Sequence, residues 1–201
     1  MRTHPLGPGM VLVAMPMLDD PQFARSVVYL LESDPDAGSA GVVVTAPTRT
    51  PVAQVLPSWH DAMSDPALVF RGGPVQPDGA LGLAQVTCGR AEVPIPGIRT
   101  VRPFGGMNRA GESDCVGVVD LDGDIETIAG AASRLRVFAG HSGWSPGQLE
   151  DEIAEGAWVV VPGRAADVFA GDPQHRWRDV LSRQPYPLRM LATCPPDPSQ
   201  N

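Results

Sequence analysis

Apolar residues along this chain fall in short runs instead of long helical stripes. VLVAMPML (11–18), SVVYLL (26–31), GVVVTA (41–46), ALVF (67–70), ALGLAQV (80–86), VGVVDL (116–121), LRVFAG (135–140), WVVVP (158–162) and LRMLAT (188–193) are the clearest. Most are rich in β-branched residues or Leu, and Gly, Pro or Asp bounds them. The pattern predicts strands, many covered on both faces.

Helical signals lie between these runs. Asp124 is placed to cap a helix whose apolar stripe is Ile125, Ile128, Ala129 and Ala132. Asp172-Pro173 predicts a cap followed by proline at the first helical position, with Trp177, Val180 and Leu181 facing inward. Asp20-Pro21 repeats that signal for a short turn holding Phe23, and TPVAQVL (50–56) reads as a short helix stopped by Pro57. Strands come in groups with helices scattered among them. That favours an α+β fold with a mixed sheet in a single domain spanning 1–201. Gly89 to Asp114, with its prolines, glycines and Arg90, Arg99, Arg102 and Arg109, reads as one long solvated loop, and 196–201 as a tail.

Composition narrows the classes. With 43% apolar and 19% charged residues the chain is an ordinary globular one. No apolar run approaches the ~20 residues of a membrane helix. The opening MRTHPLGPGM lacks the apolar core of a signal peptide, so a cytoplasmic location is the expectation. A formal net charge of −8 argues against passive attraction to nucleic acid or anionic membranes. No helix carries clustered arginines with base-reading neighbours, which argues against direct DNA binding. All 15 cationic residues are Arg, a coding bias that also removes Schiff-base and phosphate-loop lysine chemistry. Cys88, Cys115 and Cys194 are scattered with no CxxC pair, so neither a disulfide nor a zinc cage is expected. Cys115 reads as core and the thiols as inert.

The segment FAGHSGWSPGQLE (138–150) sets a serine beside a histidine between glycines. A nucleophile elbow needs glycine two residues after its serine, and Trp144 stands there instead. The segment therefore reads as a strand-to-helix turn. Gly140 and Gly143 permit the bend, Trp144 packs beneath it, and Ser145, Pro146 and Gln148 start a helix as a capping box. In RGGPVQPDG (71–79), Gly72 and Gly73 mark a sharp turn between strands and lack a nucleotide signature. Asp19 and Asp20 lack the further ligands a metal requires, and Arg25 is expected to pair with one of them. A ligand-site reading gathers Asp20, Arg25, Gly72, Gly73, Ser142, Trp144 and Gln148 from the loops 17–26, 71–76 and 140–148. No catalytic set, metal or cofactor is indicated.

Taken in order, AMPMLDDPQFARSVVYLLE (14–32), GVVVTAPT (41–48), RGGPVQ (71–76), AGHSGWSPGQLEDEIAEGAWVVVP (139–162) and DVLSRQPYPLRMLATCP (179–195) resemble the YqgE/AlgH family of bacterial proteins, most closely actinobacterial members. The resemblance implies one compact α+β domain with a mixed, partly barrel-like sheet and several short helices. It also implies a role in transcriptional regulation, the label the family carries, and brings no catalytic residues with it. His141 stands where members usually have Tyr, which weakens a catalytic reading of that histidine. The leading expectation is a non-enzymatic regulatory or interaction protein working through a protein partner or a small ligand. The alternative is a small-molecule or anion-binding protein built on the three loops.

Overall fold

The computed structural model describes residues 4–89, 94–101 and 113–195. The strands are β1 (Met10–Ala14), β2 (Val27–Asp34), β3 (Gly38–Val43), β4 (Pro47–Pro51), β5 (Leu68–Arg71), β6 (Val75–Cys88), β7 (Ile98–Val101), β8 (Ser113–Val119), β9 (Arg134–Trp144) and β10 (Trp158–Pro162). Short helices interrupt them: α1 (Val52–Val55), α2 (Ile125–Ala131), α3 (Gln148–Ala154), α4 (Ala165–Phe169) and α5 (Arg176–Ser182), with 3₁₀ turns at Pro57–Ala62 and Leu188–Thr193. The sheet runs β10-β1-β2-β3-β9-β6-β8-β7 and curls into a half-barrel, with β4 and β5 off this path. The fold is α+β in a single domain, as its sequence pattern implies.

One strand joins the two halves. Along one edge of β9, antiparallel β6 pairs Ala80 with Ala139 and Gln85 with Arg134. Two strands share the opposite edge. Parallel β5 sets Phe70 against Phe138 and Arg71 against Ala139, and antiparallel β3 sets Gly41 against Ser142 and Ser39 against Trp144. Where β5 gives way to β3, the Gly72 N–H donates to the Ala139 carbonyl (2.8 Å) and the Val43 N–H to the Gly72 carbonyl (2.8 Å). Gly140, at φ 67°, takes the kink that this change of partner demands.

Both sheet faces are covered, so strands such as β1 are buried along their whole length. Val11 and Val13 point to a core closed by Val168, Phe169, Trp177 and Leu181 of α4 and α5. Met10, Leu12 and Ala14 alternate to the other face, with Trp144, Leu149 and Trp158. A third cluster beneath α1 and α2 holds Trp59, Ile98, Ile128 and Val137. Asp124 caps α2 as expected, accepting from the Thr127 N–H at 3.1 Å. The last turn of α4 is closed by arginines. Arg176 donates to the Ala166 carbonyl (2.9 Å), Arg136 to Val168 (2.6 Å) and Arg134 to Phe169 (3.1 Å). Arg136 is 2% exposed and lies 4.2 Å over the Phe70 ring; burial, then Arg176 and Arg134, lower its pKa to about 10, so it remains a cation at neutral pH.

Several expectations are corrected. Phe138–Trp144 is strand, not turn: Gly143 lies within β9, and the bend comes at Ser145–Gly147. Residues 188–193 form a 3₁₀ turn instead of a strand, with Leu188, Leu191 and Ala192 set against the core at helical spacing. Helix α5 begins at Arg176, later than the Asp172-Pro173 signal, because Asp172 closes its own turn by accepting from the Gln174 N–H (2.9 Å). The stretch 89–114 is not one loop, since β7 pairs with β8 from Ile98↔Val119 to Val101↔Val116. Arg99 on β7 meets Glu32 at 2.9 Å, while Arg90, Arg102, Arg109 and the tail 196–201 lie outside the described residues. Cys88 and Cys115 are disulfide-bonded with Cα atoms 5.9 Å apart, against the expectation of inert thiols. They sit diagonally across β6 and β8, a proximity that a 27-residue separation conceals.

The β5–β9 junction yields a stability prediction. A Cβ on Gly72 would stand 2.2 Å from the Gly140 carbonyl oxygen, whereas one on Gly147 meets nothing within 4 Å. Gly72→Ala should cost about 3 kcal/mol by forced backbone displacement. Gly147→Ala, strained only by its left-handed φ, should cost about 1 kcal/mol. Urea unfolding midpoints measure both, and equal losses would contradict the tight crossing.

Candidate functional site

The Ser–His segment settles first. Ser142 has no solvent exposure, and its hydroxyl donates to the Gly72 carbonyl at 3.1 Å. Neighbouring His141 stands opposite Val75 in the ladder between β6 and β9. Among the described residues no imidazole or carboxylate hydrogen-bonds Ser142. With its proton committed to a carbonyl and no approach for a substrate, the hydroxyl ties β9 to the Gly72 junction.

Trp144 is 6% exposed and turned inward. Its indole N–H donates to Glu152 Oε2 at 2.9 Å, and the Trp158 indole donates to the same oxygen at 2.8 Å. The two indoles meet edge-on at 6.1 Å, with Phe23 edge-on to Trp158 at 5.5 Å. Gln148 supports this carboxylate, donating to Glu152 Oε1 (2.9 Å) while accepting from the Ser145 N–H (3.0 Å). That is the glutamine half of the expected capping box; Gly147, not Ser145, is the N-cap.

The residues singled out from the sequence thus separate into several places. Gly72, Gly73 and Ser142 form the backbone junction, where a Cβ on Gly73 would stand 2.3 Å from the His141 carbonyl oxygen. Trp144 and Gln148 belong to the Glu152 cluster. Asp20 is exposed and accepts from the Gln22 N–H at 2.7 Å, closing the 21–25 turn. Arg25 belongs to neither cluster. Its expected pairing with Asp19 or Asp20 is corrected: the guanidinium lies 4.6 Å over the Trp177 ring and donates to the carbonyls of Cys194 (3.1 Å) and Pro195. Burial and then the like charge of Arg178 lower its pKa. Its backbone is left-handed at φ 53°, a conformation that costs a non-glycine residue roughly 1–2 kcal/mol.

Beside Arg25 opens a cleft of about 480 Å³. The 21–26 turn forms one wall, residues 43–48 the second, and Arg71 and Gln174 complete the rim. The Gly72 junction brings these pieces together. The Arg71 N–H donates to the Ala46 carbonyl (2.9 Å), and the Val44 N–H to the Val27 carbonyl (2.9 Å). Thr45 Oγ1 accepts from the Val27 N–H at 3.3 Å, leaving its own proton to donate. Thr48, by contrast, is saturated, donating to the Val69 carbonyl (2.6 Å) and accepting from the Thr50 N–H (3.1 Å). Ser26 is 3% exposed, and among the described residues its Oγ has no hydrogen-bond partner. Among the described residues the lining holds two arginines and no Asp, Glu, His or Cys, and so no nucleophile–base pair. Such a lining can bind an anion.

Of the cleft's polar groups, only Arg25 was singled out from the sequence; Ser26, Thr45 and Arg71 were not. Each stands alone at a strand end, so no spacing links them. The one available signal was a lone hydroxyl or arginine beside an apolar run.

Comparison with known proteins places the chain. The AlgH-like family model matches residues 11–189. The chain belongs to the AlgH-like family. A UPF0301 protein of Streptomyces avermitilis is 46% identical over 195 residues, covering 96% of this chain and 94% of that one. A UPF0301 protein of Mycobacterium tuberculosis is 42% identical over 193 residues, covering 96% and 90%. Among solved structures, a Corynebacterium diphtheriae protein superposes with a TM-score of 0.82 at 32% identity, covering 96% of this chain and 95% of that one. The AlgH protein of Pseudomonas aeruginosa superposes at 0.62 with 25% identity, covering 96% and 97%.

The hydrogen bonding of Ser142 predicts its chemistry. A fluorophosphonate probe should leave Ser142 unlabelled, read by mass spectrometry of the intact protein. Ser142→Ala should lower unfolding stability by about 1 kcal/mol, the net worth of one hydrogen bond. Stoichiometric labelling at Ser142 would show instead a nucleophilic serine.

Proposed function

We propose that this AlgH-like protein is a non-enzymatic regulatory protein that binds a small anionic ligand and acts through a protein partner, not by reading DNA. The observation that carries this reading is the cleft between the 21–26 turn, residues 43–48 and Arg71, whose described lining has two arginines and no carboxylate. A chain of net charge −8 repels anions at long range, so a local cationic lining is a selective feature. The burial of Ser142 supports the non-enzymatic part. The acidic balance supports indirect action on transcription, and no cofactor enters the reading. Among the described residues no helix is long and apolar enough to cross a membrane.

A thermal-shift screen against phosphates, carboxylates, nucleotides and metal ions tests this. A ligand at a hundred times its Kd stabilises by about 2.7 kcal/mol. For a chain of this size that raises Tm by roughly 5–10 °C. A screen in which no anion moves Tm would overturn the ligand reading. Sub-micromolar binding to duplex DNA at physiological salt would overturn the indirect one.

A further inference from the structure

We infer that the cleft binds a phosphate monoester, its phosphoryl group held by Arg71, Ser26 and Thr45 beside the tethered guanidinium of Arg25. This inference rests on the ligand-binding reading above and specifies its chemistry.

Three observations converge. Ser26 Oγ is buried with no partner while its residue lines the cleft. A buried hydroxyl without a hydrogen bond is costly, and its persistence in a residue that lines a cavity points to a partner supplied from outside the chain. Thr45, on the adjoining 43–48 segment, accepts the Val27 N–H and among the described residues donates its own proton to nothing. Arg71 closes the rim: its backbone is fixed to Ala46, its side chain is exposed, and among the described residues that side chain makes no hydrogen bond or ion pair. These groups are therefore poised as donors, the complement of an anion rich in acceptors. Arg25 adds positive charge, though it already gives N–H groups to Cys194 and Pro195 and rests on Trp177.

The donor count separates phosphate from carboxylate. A guanidinium fork plus two hydroxyls from adjoining segments suits a tetrahedral group with three terminal oxygens better than a planar one with two. Size separates an ester from the free ion. At about 480 Å³ the cleft falls in the range of small-molecule sites, roughly 300–1,000 Å³. Pro21, Ala24, Val43, Ala46 and Pro47 give it an apolar flank for a short carbon skeleton. Among the described residues no aromatic ring lines it, and the nearby Trp177 face is occupied by Arg25, so a nucleobase finds no stacking surface there. The occupant is a small phosphorylated metabolite, not a nucleotide.

Isothermal titration of the full chain with inorganic phosphate, glycerol 3-phosphate, adenosine 5′-monophosphate and citrate tests this directly. Glycerol 3-phosphate is expected to bind saturably and more tightly than phosphate, with the nucleotide gaining nothing over it. Arg71→Ala and Ser26→Ala should each weaken that binding at least tenfold. Without ligand, Ser26→Ala should unfold at the same urea concentration as the parent chain or a higher one, since the serine hydroxyl has no partner to lose. A lower midpoint would show that the hydroxyl serves the fold and would remove it from the site. Glycerol 3-phosphate binding that both variants leave intact would move the site elsewhere and overturn the inference. Citrate binding without any phosphate binding would overturn the phosphate assignment while sparing the ligand reading. Failure of all four probes, joined to a flat thermal-shift screen, would remove both.

Discussion

Backbone runs against backbone where Gly72 and Gly73 pass Gly140 and His141, and no side chain fits between them. The close pass lets β9 exchange β5 for β3 along one edge while keeping β6 on the other. Without it the sheet would divide into two smaller ones, each with an unpaired edge. Ser142 reinforces the same point from inside, spending its only proton on the Gly72 carbonyl. The residues that most resemble a hydrolase motif are thus consumed in closing the sheet.

The cleft is a consequence of that junction. Because Gly72 accepts from Val43 and the preceding Arg71 is bonded to Ala46, the segment after β3 is zipped to the end of β5. The same segment is bonded to Val27 at the start of β2, immediately after the Arg25–Ser26 turn. Residues far apart in the chain therefore share one small wall with little freedom to move, which is the preorganisation a binding site requires. The left-handed backbone of Arg25 fits this account. A strained residue held by Trp177 beneath and by carbonyls of the 194–195 segment beside it is over-determined by its surroundings.

Much of the fold was legible because buried strands announce themselves. Runs such as SVVYLL and WVVVP are covered on both faces and leave little room for another reading. Legibility failed where glycine and proline carry two meanings. In FAGHSGW the glycines suggested a turn, yet they allow a strand to be approached closely while it continues. In LRMLAT a run bracketed by prolines looked like a strand, although Leu188, Leu191 and Ala192 already stood at helical spacing. The Cys88–Cys115 bond needed the β6–β8 register, which no local pattern supplies. The site was less legible still, for a physical reason. Arg25, Thr45 and Arg71 are ordinary polar residues at strand ends until hydrogen bonds bring those ends together.

The exclusive use of arginine, first read as coding bias, has structural uses that lysine would not reproduce. At the last turn of α4, guanidinium groups on β9 and α5 reach the carbonyls of Ala166, Val168 and Phe169 from two directions. Arg183 clamps Asp167 with both of its terminal nitrogens while also donating to the Pro162 carbonyl at 3.1 Å. A single ammonium lacks the planar fork for such division of labour and is more strongly hydrated, so its burial here would cost more. The same property bears on the cleft. Arg25 can hold two backbone carbonyls and lie flat on an indole while keeping its charge near the lining, because a guanidinium presents an edge of donors and an apolar face at once. Structural anchoring and ligand attraction are therefore compatible in that one residue, whereas Arg71, tied among the described residues only through its backbone N–H, has its fork to offer to what enters.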